Sequence, residues 1–110
     1  MTGEELRRIA LSFPEATEQE TWGQPTFRVR GKMFAAMSAE GDSASVKASL
    51  EAQAALVGSE PETFSVARYL GQHGWVSIDL RRVDPEEMAE LLDEGWRATA
   101  PKRVVAAYDG

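Results

Sequence analysis

Trp22-Gly23-Gln24-Pro25-Thr26-Phe27-Arg28-Val29-Arg30-Gly31-Lys32-Met33-Phe34 reads WGQPTFRVRGKMF. From Thr26 to Arg30, polar and apolar residues alternate with the period of a half-buried strand. Phe27 and Val29 face one way; Thr26, Arg28 and Arg30 face the other. Gly31-Lys32 fits a two-residue turn in which glycine supplies the positive φ, and Met33 to Met37 forms the return strand. Gly23 and Pro25 break the chain before the alternation begins, after an extended stretch from Glu18 to Trp22. A hairpin punctuated in this way implies an antiparallel sheet.

Working outward, Ala39-Glu40-Gly41-Asp42 makes a second turn, followed by a strand from Ser45 to Ala48 with Val46 inward and Lys47 outward. On the N-terminal side, Thr2 and Glu5 form a capping-box pattern, and Leu6, Ile9, Ala10 and Phe13 make one apolar helical stripe that Pro14 ends. Ser49 caps a short helix from Leu50 to Val57, and Gly58 to Glu62 reads as a loop. Phe64 to Leu70 reads as irregular or as a single helical turn. Gly74 opens the strand WVSIDL, with Val76, Ile78 and Leu80 on one face and Trp75 on the other, partly exposed or covered by a helix. Asp84 and Pro85 start a long helix whose stripe is Met88, Leu91, Leu92 and Trp96. Pro101 interrupts, and a last short helix runs from Lys102 to Tyr108. This order predicts an α+β fold: one domain over residues 1–110, an antiparallel sheet, and helices packed mainly on one face.

Of the 110 residues, 43% are hydrophobic, enough for a real core, and no run is long and apolar enough to span a bilayer. The start, MTGEELRRIALSF, lacks the pattern of a secretory signal, which points to the cytoplasm. Cysteine is absent, so disulfides, thiolate metal sites and cysteine nucleophiles are excluded. The net charge of −6 argues against indiscriminate coating of nucleic acid. The charge is segregated, however: residues 84–94 hold six acids and no base, whereas residues 21–39 hold Arg28, Arg30 and Lys32 and no acid.

Three pieces carry a resemblance: WGQPTFRVRGKMFA at Trp22 to Ala35, GWVSIDL at Gly74 to Leu80, and WRATAPKR at Trp96 to Arg103. In order and spacing the chain resembles the MmcQ/YjbR family of small bacterial proteins. The resemblance implies a CyaY-like fold and DNA binding through a double-wing arrangement of hairpins. Likeness to the frataxin-like fold adds iron binding on acidic helical surfaces as a second implication. Gln24 stands where the family more often has His, so no imidazole role is carried over to it.

The residues themselves give the candidate contacts. Arg28 and Arg30, two apart on a strand, share one sheet face about 7 Å apart, close to the spacing of phosphates along a strand. Lys32 at the hairpin tip and Lys47 on a nearby strand extend the patch. The alternative is an ordinary solvated face, paired to Glu18 or Glu20 on the preceding strand. Trp22 either stacks on a base or packs over the turn, and beside Gly23 and Pro25 packing is the expectation. Lys102 and Arg103 either complement the carboxyl end of the long helix or, if a helix starts near Pro101, form an anion pocket with its free amides. Arg81 and Arg82 are expected to pair with the acidic helix.

His73 is the only histidine, and no serine sits in a nucleophile-elbow context. Glu87, Glu90 and Glu94 share a helix face on which a divalent cation would bind weakly. The resulting expectation is a noncatalytic, cofactor-free, monomeric DNA-binding module that touches the backbone through Arg28, Arg30, Lys32, Lys47, Lys102, Arg103 and Trp22. The alternatives are a protein-interaction or small-ligand module using a groove near Trp22 and Trp75, or weak metal binding on the acidic helix.

Overall fold

The computed structural model describes residues 1–110. Helix α1 (Gly3–Ser12) opens on a closed capping box. Thr2 Oγ1 accepts from the Glu5 amide at 3.1 Å, and Glu5 Oε1 accepts from the Thr2 amide at 3.0 Å. Its stripe buries Leu6 and Ala10, with Phe13 just beyond, while Ile9 is half-buried.

Six strands form one sheet: β1 (Ala16–Thr21), β2 (Gln24–Val29), β3 (Lys32–Met37), β4 (Ser43–Val46), β5 (Phe64–Val66) and β6 (Val76–Asp79). Their order is β1-β2-β3-β4-β6-β5, and every neighbouring pair is antiparallel. The first two hairpins turn at Trp22-Gly23 and Arg30-Gly31, with φ of 56° and 79° in one and 53° and 80° in the other. Two successive positive-φ residues are the mark of a type I′ turn, whose twist matches the strands it joins. The second turn therefore lies one residue earlier than the Gly31-Lys32 reading, and Val29 pairs with Lys32. Arg30 belongs to the turn and Lys32 to β3.

The inner face of the sheet carries Phe27, Val29, Ala35, Met37, Val46 and Ile78, all buried. Helices α1 and α3 (Pro85–Thr99) pack on this side, in one core of 21 buried residues. The α3 stripe of Met88, Leu91, Leu92 and Trp96 is buried as its spacing predicts. Gly95 lets α3 lie close to the sheet: a Cβ there would sit 3.1 Å from both the Lys47 carbonyl oxygen and Val46 Cγ1. Trp96 locks the joint. Its Nε1 donates to the Pro14 carbonyl at 3.1 Å, and its ring stacks on Phe13 with centroids 5.6 Å apart. Helix α4 (Lys102–Asp109) closes this corner, with Tyr108 set edge-on to Trp96.

At the other end of the sheet, α2 (Leu50–Ser59) packs near β5. Gln53 from α2 is buried and donates to the carbonyls of Gly71 and Trp75 at 2.9 and 2.7 Å. This ties the helix to a 3₁₀ turn, Leu70–His73. Phe64–Val66, read from sequence as irregular or helical, is the edge strand β5; three residues are too few to display a period. Trp75 is only 5% exposed, the covered alternative rather than the open one, and its carbonyl accepts from the Ala67 amide and from Gln53 Nε2. Arg81 and Arg82 turn to Asp79, with Arg82 also reaching Glu62, and neither meets the acidic helix.

Helices α1 and α3 leave the outer face of the sheet from β1 to β4 free. Registry puts Thr17, Gln19 and Thr21 beside Arg28, Thr26 and Gln24, and then Ala36, Ser45 and Ser77 in a row. On this face the acidic strand residue is Asp79, which Arg81 and Arg82 already hold at 3.2 and 3.6 Å.

Candidate nucleic-acid interface

Arg30 stands at the first position of the β2–β3 turn, where the left-handed backbone takes it out of the strand alternation. Its side chain folds back onto Glu15 as a forked pair, Nε to Oε1 at 2.5 Å and Nη2 to Oε2 at 3.2 Å. Each partner favours the charged form of the other. The Arg30 hydrogen bond holds the Glu15 carboxyl below the usual carboxylate range, and Glu15 raises Arg30 in turn.

Arg28 remains on the outer face and is half-buried. It donates to Thr26 Oγ1 at 3.2 Å, Thr21 Oγ1 at 3.2 Å and the Gly31 carbonyl at 3.1 Å. No carboxylate neutralises it, but three of its donors are engaged and the guanidinium lies along the sheet. The expected pair of guanidinium groups standing side by side in water therefore does not exist. The one-residue shift of the turn is the reason. Cross-strand pairing with Glu18 or Glu20 does not occur either, since Glu18 faces α1 and takes Arg7 at 2.8 Å.

Lys32 is exposed at the start of β3, and neither it nor Lys47 forms an ion pair. Lys47 follows β4, where its amide still bonds the Phe34 carbonyl at 3.0 Å, and alternation from buried Val46 directs it to the outer face. Lys102 and Arg103 are exposed, and they open α4 rather than close α3. Pro101 is the N-cap and gives no side-chain hydrogen bond. Two cations at a helix amino end oppose the dipole, a local cost that a bound anion would relieve.

The fold brings these two sets together. Pro14, Glu15, Arg30, Arg103, Val104 and Tyr108 line one shallow depression of about 490 Å³. Arg103 adds its field to that of Arg30 at the Glu15 carboxylate. The hairpin turn and the start of α4, some seventy residues apart in sequence, thus share one end of the molecule. Sequence reading missed Glu15 as the hub of this junction. It follows Pro14 with a φ of 58°, which glutamate does not signal in sequence, and only tertiary packing aims it at Arg30.

Trp22 is 98% exposed at the tip of the β1–β2 hairpin, contrary to the expectation that it packs over the corner. The type I′ turn projects the indole away from the sheet. Trp75 is buried, and neither tryptophan lines any of the larger surface depressions. Glu87, Glu90 and Glu94 do not assemble into a site: no group of three or more His, Asp or Glu side chains is placed to hold a metal ion. Burial, reinforced by the nearby Glu60, Asp84 and Glu90 charges, pushes the Glu87 carboxyl up.

The family model for YjbR matches residues 11–98. The chain belongs to the YjbR family. Among solved structures, the crystal structure of Deinococcus radiodurans protein DR2400, which carries a DUF419 domain, superimposes with a TM-score of 0.81 over 88% of this chain and 77% of that one, at 23% identity. At that identity the likeness establishes the fold alone. Comparison with curated proteins returns no match. The YjbR match includes Trp22, Arg28, Arg30, Lys32 and Lys47, while Lys102 and Arg103 lie beyond it. No helix of this YjbR protein is long and apolar enough to cross a membrane.

Proposed function

We propose that this protein is a noncatalytic, cytoplasmic, monomeric DNA-binding module that grips the phosphate backbone at the junction of the β2–β3 turn and the start of α4. The observation that carries this reading is the meeting of Arg30 and Arg103 around Glu15. Two cations, Arg30 and Arg103, thus meet one carboxylate in a chain whose net charge is −6, and Lys32 and Lys102 are exposed close to them in sequence. Many of the acids are spent on the helices, six of them within residues 84–94. Arg28, tied to the same turn through the Gly31 carbonyl, and Lys47 on the outer face extend the positive region. Trp22 stands at the far end of β2 from this junction, about 20 Å away, where its exposed indole is free to touch a base or sugar further along the duplex.

Contacts of this kind are electrostatic and carry little base information, so binding is salt-sensitive and nearly indifferent to sequence. The test is amide chemical-shift mapping with a short DNA duplex at low salt. Shifts should concentrate at residues 30–32 and 101–104, and Lys102→Ala with Arg103→Ala should weaken binding about tenfold. Shifts confined elsewhere, or an unchanged affinity, would overturn the proposal.

A further inference from the structure

The outer sheet face holds a groove of about 380 Å³ between the first hairpin and the Arg68–Leu70 arch. Its floor includes Ala36, Ser43, Ser45 and Ser77, with Gln24 on one side. Over the other side stands Tyr69, 89% exposed. Tyr69 has φ 62° and ψ −52°, and the Leu70 amide donates back to the Arg68 carbonyl at 2.5 Å. This is the positive-φ γ-turn, a strained conformation for a residue with a side chain. Both ends are clamped: the Ala67 amide bonds the Trp75 carbonyl at 3.2 Å, and the Trp75 amide bonds the Leu70 carbonyl at 3.3 Å. Gly71 completes the clamp, since a Cβ there would lie 2.3 Å from Val66 Cγ1. The arch is thus held in a costly shape that keeps a phenol ring in water beside a polar groove.

Arg68 is the one charged residue lining the groove, which contains no carboxylate. The chemistry on offer is one positive charge, several hydroxyls and an amide, and an aromatic platform. The complementary ligand is an anion that carries hydrogen-bonding groups and a flat ring. We infer that this groove binds a nucleotide, with its base stacked on Tyr69, its phosphate against Arg68, and its sugar or base edges meeting the serine hydroxyls and Gln24. The nucleotide is either free or part of a single strand. The volume suits one such unit, and stacking on an exposed aromatic tolerates any base. The site is separate from the basic junction and stands or falls apart from it.

The test uses two probes, deoxyadenosine monophosphate and a six-residue single-stranded oligodeoxyadenylate, titrated by calorimetry or amide shifts. Binding of the first identifies a free nucleotide, and binding of the oligomer alone identifies a nucleotide within a strand; either supports the site. Tyr69→Gly suits the positive φ, so the fold should persist by thermal melting, while affinity should fall about tenfold or more. Tyr69→Phe keeps the ring and should bind within about twofold of the parent. Arg68→Gln should weaken binding and flatten its salt dependence. The site is overturned if neither probe binds, or if Tyr69→Gly binds both as well as the parent. In either event, duplex binding that responds to Lys102→Ala and Arg103→Ala would leave the junction intact. Conversely, probe binding lost in Tyr69→Gly, with no duplex binding at all, would retire the junction and keep the groove.

Discussion

Arg30 illustrates how one position in a turn redirects chemistry. Had the turn been Gly31-Lys32, Arg30 would have joined Arg28 on the outer face. As a type I′ turn residue it reaches Glu15 instead, and Glu15 then governs how much charge the turn offers a partner. Because the folded Glu15 carboxyl titrates below its ordinary value, the pair stabilises the fold above the unfolded pKa and loses that contribution as pH falls through the folded one. Glu15→Gln should therefore melt slightly lower at neutral pH, with the gap closing in acid below the usual carboxylate range. The same substitution frees Arg30, so duplex affinity should rise about threefold at low salt. Parallel melting curves and anisotropy titrations would check both, and a drop in affinity would refute the view of Glu15 as a counter-charge. Gly74 is a position where backbone and space both exclude a side chain. Its φ is 97°, and a Cβ would lie 2.3 Å from the Ala48 carbonyl oxygen. Gly74→Ala should cost about 2–4 kcal/mol in denaturant unfolding, since strain and overlap combine.

Among the elements, α3 was the easiest to read and is the one on which the core depends. Asp84 and Pro85 set its start, its stripe set its buried face, and Trp96 fills the corner shared with Phe13, Pro14 and Tyr108. Trp96→Ala should cost about 3–5 kcal/mol, measured by chemical denaturation. On the outward side, Glu87 is disfavoured in its charged form by burial and by acidic neighbours. The raised folded pKa means the ionised group opposes folding above its unfolded value, an effect relieved as pH falls. Glu87→Gln should raise the neutral-pH melting point by an amount worth about 0.5 kcal/mol, and the gain should vanish near pH 4. The helices and β2 were legible because each carries enough residues to display its period and caps. β5 was not, having three residues and an edge position. The hairpin turn was misread by one residue because arginine rarely signals a positive φ, and the flanking Gly31 fits either register. The same limit hid the candidate sites. The cations were visible in sequence, but Glu15, which joins them, and the Tyr69 arch depend on contacts between segments far apart in the chain.

Across the whole fold, charge is sorted by face and by end. Helix α3 carries Glu86, Glu87, Glu90, Asp93 and Glu94, whereas the outer sheet face from β1 to β4 presents hydroxyls, amides and Arg28. An acidic protein can therefore meet a polyanion at the end that holds Arg30 and Arg103 while the acidic face of α3 repels it, which orients the encounter. Duplex binding should show a linear fall of log affinity with log salt. The most direct test is the slope of that line for the parent and for a triple variant, Lys32→Ala, Lys102→Ala and Arg103→Ala. Loss of three phosphate contacts should flatten the slope by about 2–3 and weaken low-salt binding at least about tenfold. A variant that keeps the parent's slope and affinity would contradict the assignment of the junction as the phosphate-binding surface.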